Sequence, residues 1–94
     1  MDTTDLARQL HRLRRTVLML QTELRREHMD EPLLDEIEAR MENGIAFDPR
    51  CERLTGLVDA LRETLLTPRP ELYGDGVRAC ERLKDAIEEV LTGA

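Results

Sequence analysis

Only a few residues in this chain have types and spacings that could carry chemistry. The two histidines, His11 and His28, stand on one predicted helix, and neither belongs to an ExxH or HExxH arrangement that would turn two ligands toward one metal. The cluster Glu27-His28-Asp30-Glu31 has ligand residue types without ligand spacing and reads as a solvated helix end. Cys51 and Cys80 do not form a CxxC pair, so neither zinc nor dithiol chemistry is indicated, and both read as buried thiols. No Ser/His/Asp grouping is visible, and no local signature pairs Cys51 with a histidine. Gly74-Asp75-Gly76 resembles a phosphate-binding turn only superficially. It lacks a third glycine, a following Lys-Ser/Thr and a preceding strand, and is read as a turn and helix cap. The expectation is a chain without catalytic residues, metal or cofactor.

What remains is helix-mediated binding, and its materials lie in the first third of the chain. Leu6, Leu10, Leu13, Val17, Leu20 and Leu24 recur at spacings of 4, 3, 4, 3 and 4, a heptad seam held for nearly three heptads. Away from that seam stand Arg8, His11, Arg12, Arg15, Arg25 and Arg26, with Arg14 flanking it. Leu18 and Met19 also fall outside the seam, giving the helix apolar residues on two sides. Such a helix buries both sides centrally in a bundle or offers the second to another chain. Tyr73, beside Leu72 in a Pro/Gly-rich segment, either plugs a bundle end or anchors a partner.

Charge narrows the partners. The 94 residues carry a net charge of -6, and a chain this acidic is poorly suited to neutralising phosphates, so direct nucleic-acid binding is disfavoured. The charge is unevenly placed: residues 1–28 hold six Arg against four acids, +2, whereas 29–94 hold eight bases against sixteen acids, -8. The N-terminus MDTTDLARQL is acidic and polar where a signal peptide would be basic and then apolar, and the longest apolar run is Val17 to Leu20. A cytoplasmic chain with no membrane contact is expected.

The elements that must position these residues are helices. Thr3 or Thr4 can cap a first helix over about residues 5–28, free of Gly and Pro throughout. Asp30-Glu31-Pro32 ends it and starts a short one at 32–42, stopped by Asn43-Gly44. Asp48-Pro49 repeats the start signal for a third helix at 49–66. Two prolines and two glycines between Pro68 and Gly76 predict a loop, followed by a fourth helix at 76–91. Nothing alternates with period two, so no strand is predicted. The fold class is all-α: one domain, a small antiparallel bundle of three long helices and one short. In that bundle Leu66 lies level with Gly76, and Cys51 and Cys80 are about 16 Å apart along the helices, too far for a disulfide.

The functional expectation is a non-catalytic protein–protein interaction module: an adaptor, an assembly or export chaperone, or a small inhibitor of a larger machine. Arg8, Arg12, Arg15, Leu18, Met19, Arg26 and Tyr73 would meet the partner, and homodimerisation through helix one is expected. Two alternatives differ in kind. Asp35, Glu38, Glu42, Glu81, Asp85, Glu88 and Glu89 could mimic nucleic acid and fill a basic cleft on another protein. A small-ligand or metal-binding bundle would need convergent polar groups in its core, which the pattern does not supply.

Overall fold

The computed structural model describes residues 2–93. Helices α1 (Thr3–Arg25), α2 (Glu31–Glu42), α3 (Glu52–Leu66) and α4 (Leu72–Leu91) pack around one aliphatic core. Two single 3₁₀ turns, Ile45–Phe47 and Pro49–Cys51, link α2 to α3. No strand occurs among the described residues. The all-α bundle of three longer helices and one short helix expected from periodicity is the fold observed.

The heptad seam is the core face of α1. Leu6, Leu10, Leu13, Val17, Leu20 and Leu24 are each no more than 3% exposed, and burying side chains of this size contributes roughly 1.5–3 kcal/mol apiece. Antiparallel neighbours follow from the pairs that meet. Arg14 reaches Glu88 while Gln21 reaches Val77, so α1 and α4 run in opposite directions. Arg53 meets Glu89 while Leu65 lies against Gly76, so α3 opposes α4 in the same way. α1 packs chiefly on α4 and α2, and α3 on α4 and α2, which puts α1 and α3 at opposite corners. Cys51 and Cys80 are both buried and unbonded, as the register predicts.

Several boundaries move for identifiable reasons. Asp2, not Thr3 or Thr4, caps α1, its carboxylate accepting from the Asp5 N–H at 2.8 Å. The helix stops at Arg25 rather than near residue 28. Glu27 adopts φ 58°, and two reverse bonds, Glu27 N–H to the Leu24 carbonyl and His28 N–H to the Glu23 carbonyl, close a Schellman motif. A Glu in that left-handed position is unusual, and the sequence carries no glycine there to announce the stop. The stop after α2 does follow the expected rule, with Gly44 at φ 112°. Asp48 caps the turn before α3 as anticipated, but the first residues after Pro49 are 3₁₀ and the α-helix begins at Glu52.

The largest correction concerns α4, which begins at Leu72 and takes in Tyr73, Gly74 and Gly76 that were expected to be loop or helix edge. Gly76 is helical because packing demands it: a Cβ there would lie 2.8 Å from Leu65 Cδ2 and 3.0 Å from Leu24 Cδ1. The glycine that reads as a breaker is where side chains of α1 and α3 close directly over the α4 backbone.

Candidate functional site

The outer face of α1 is set by polar ties on both of its flanks. Toward α2, the buried Thr16 hydroxyl accepts from Arg40 Nε at 3.1 Å and lies 3.0 Å from Glu36 Oε2 and 3.1 Å from the Arg12 carbonyl, either of which can take its proton. Toward α4, the buried Gln21 amide donates both protons, to the Val77 carbonyl at 3.1 Å and to Glu81 Oε2 at 3.0 Å. Glu81 is held below the usual carboxylate range by that Gln21 bond and then by Lys84. Arg14 adds a 2.8 Å ion pair to Glu88. These contacts fix the rotation of α1 about its axis, because a slip of one residue would strand buried amide and hydroxyl groups without partners.

With the seam inward and the flanks tied, residues 8, 12, 15, 19 and 26 share one outward stripe, as 3.6-residue periodicity requires. Arg8, Arg12, Arg15, Leu18, Met19 and Arg26, six of the seven residues picked out by sequence, are thereby brought together. A shallow depression along this face is lined by His11, Arg14, Arg15, Leu18, Met19 and Thr22, with no carboxylate among them. Met19 is 49% exposed and Leu18 half-buried. Arg8 and Arg26 make local pairs with Asp5 and Glu23, but Arg12 and Arg15 have no ion-pair partner among the described residues. Tyr73 does not join them. It sits in the first turn of α4, half-buried against the core.

The carboxylates behave differently from a phosphate-like array. Glu38 pairs with Arg62, Glu81 and Asp85 with Lys84, Glu88 with Arg14 and Glu89 with Arg53, so five of the seven residues proposed for mimicry already face a cation. The acids left without an ion pair among the described residues include Glu42, Glu52 and Asp59, along one side of α2 and α3. Beside them stands Phe47, 82% exposed. Sequence reasoning missed it because Ile45-Ala46-Phe47 is an apolar run with no helical phase of its own, and only the 3₁₀ turn decides that Ile45 goes in and Phe47 out.

No group of three or more His, Cys, Asp or Glu placed to hold a metal occurs among the described residues. The thiols are shielded: burial pushes Cys80 up to about 12 and raises Cys51 as well. Among the described residues no helix is long and apolar enough to cross a membrane. Comparison with protein-family models, with curated proteins and with solved structures finds no match to this chain.

Proposed function

We propose that this chain is a non-catalytic protein-interaction module that docks through the outer face of α1 onto an acidic, partly apolar surface of a partner. The observation that carries the reading is the pairing of exposed Met19 and half-buried Leu18 with Arg12 and Arg15, cations that no carboxylate of the described residues neutralises. Exposed apolar surface rimmed by unpaired charge of one sign suits recognition of a surface of the other sign. Arg favours such a role because its planar fork holds carboxylates bidentately while its stem lies on apolar neighbours. A module of this kind serves as an adaptor, an assembly or export chaperone, or an occluding inhibitor. A cytoplasmic setting belongs to the same proposal and is supported by two unbonded thiols.

The test is affinity capture from nuclease-treated native lysate with the tagged full chain and its Arg15→Glu/Met19→Glu variant. Both positions are exposed, so the variant keeps its far-UV circular dichroism. The expected result is a stoichiometric protein held by the wild type, released by added salt and absent from the variant. Identical captures by the two chains would refute the reading.

A further inference from the structure

We propose that the acidic cleft between α2 and α3 receives the outer face of α1 from a second copy of this chain, so that copies associate head to tail. The proposal rests on the docking role of α1 and names the surface that meets it. The cleft joins two adjoining depressions that share Ala46, Thr55 and Asp59: one between α2 and α3 that also holds Glu42 and the Glu38–Arg62 ion pair, and one over the 3₁₀ link that also holds Phe47 and Glu52. Of these, Glu42, Glu52 and Asp59 have no ion-pair partner among the described residues. Phe47 is 82% exposed, and Gly56 beside it faces open space, with nothing within 4 Å of where a Cβ would stand. The result is an acidic surface with a protruding aromatic and a bare stretch of helix backbone next to it. The α1 face is its converse: Arg12 and Arg15 unpaired, Met19 protruding, no carboxylate in the lining.

Geometry keeps the two surfaces from satisfying each other within one chain. α1 and α3 occupy opposite corners of the bundle, so the outward stripe of α1 and the outer side of α3 point away from one another. A second copy brings them together by translation and rotation alone. The other way for two copies to use α1, a two-fold pairing of one α1 against its partner, sets one cationic stripe, with its unpaired Arg12 and Arg15, against the same stripe of the other copy, and like charges brought into apposition oppose association. Opposite signs on separate faces therefore favour the heterologous contact, which leaves one free face at each end and continues to larger species unless its rotation closes a ring.

The experiment is sedimentation velocity on the full chain over a wide concentration range at low and high salt, with two separately broken chains. Arg15→Glu/Met19→Glu removes the α1 face and keeps the cleft; Phe47→Glu removes the cleft and keeps the α1 face. All three positions are exposed, and circular dichroism confirms the fold of each chain. The expected result has three parts: the wild type sediments as a concentration-dependent series that salt dissociates, each broken chain alone is monomeric, and an equimolar mixture of the two forms a 1:1 dimer and nothing larger. Phe47→Ala should weaken the wild-type association roughly tenfold or more, as loss of a central aromatic anchor does. Monomeric wild type at every concentration would overturn the proposal, as would Phe47→Glu assembling like the wild type. The latter result, with Arg15→Glu/Met19→Glu still monomeric, would refute the cleft while leaving the docking role of α1 intact. Assembly unaffected by Arg15→Glu/Met19→Glu would count against both.

Discussion

Replacing Gly76 with alanine isolates how closely α4 packs, because the chain contains its own control. Gly56 and Gly76 each occupy the fifth residue of a helix, α3 and α4 respectively. At both positions alanine gains the same helix propensity, about 0.8–1.0 kcal/mol. They differ in what the new methyl meets. Nothing lies within 4 Å at Gly56, whereas at Gly76 the methyl would fall 2.8 Å from Leu65 Cδ2 and 3.0 Å from Leu24 Cδ1. Leu24 is 1% and Leu65 5% exposed, so neither can swing into solvent, and overpacking of a filled core costs about 1–3 kcal/mol. Gly56→Ala should therefore stabilise by about 0.8 kcal/mol and Gly76→Ala destabilise by about 1 kcal/mol net of propensity, a gap of about 2 kcal/mol between identical chemical changes. Thermal unfolding would show this as midpoint shifts of opposite sign, each about 4–8 °C per kcal/mol in a domain of this size. A Gly76→Ala protein as stable as the wild type, with Gly56→Ala raised as expected, would refute the close approach of α4 to Leu24 and Leu65.

Two further outcomes follow from backbone and charge. Glu27 sits at φ 58° in the Schellman stop of α1, so Glu27→Gly should raise stability by about 0.5–1 kcal/mol by relieving the left-handed strain, with equilibrium urea unfolding as the measure and a destabilised variant as the contrary result. Asp48 is pulled from the usual 3.8 down to about 2 by the Arg50 side chain and then the Arg50 N–H. A depressed folded pKa stabilises the fold above the unfolded value, so this contribution is complete near neutrality and disappears as pH falls from about 4 through 2. Asp48→Asn should lose stability at pH 6 but little at pH 2, and an equal loss at both values would contradict the carboxylate's role.

Legibility in the sequence tracked how local the governing physics was. The Leu6 to Leu24 seam, the capping carboxylates at Asp30 and Asp48 and the stop at Gly44 are decided by neighbours three or four residues away, and each does what its spacing predicts. The start of α4 was misplaced because Gly74 and Gly76 announce a loop to any local rule, whereas Leu24 and Leu65, far off in sequence, require a residue without a side chain at position 76. Thr16 and Gln21 show the same limit. They look like ordinary polar positions beside the seam, and only their partners on α2 and α4 make them buried ties. At the candidate site the arginine stripe with Leu18 and Met19 was readable from helical phase alone, while Phe47 was not, since a three-residue 3₁₀ turn has no periodicity to reveal which side chain faces outward.

A heptad seam in a sequence is equally suited to an internal core and to an intermolecular coiled coil, and here burial separates the two. All six seam residues are enclosed by the chain's own α2, α3 and α4, and releasing them to another molecule would forfeit roughly 1.5–3 kcal/mol for each. An association that uses α1 without opening the bundle is therefore left with its opposite face, whose apolar surface amounts to Met19 and part of Leu18. On the proposed docking role, so small an apolar contribution would leave the unpaired Arg12 and Arg15 as the principal source of recognition. Interactions between exposed charges weaken once their separation exceeds the Debye length, about 10 Å at 0.1 M salt and 3 Å at 1 M. Binding through this face should accordingly fall steeply with ionic strength, whereas a partner gripping the leucine seam would be nearly indifferent to salt and would unfold the bundle as it bound.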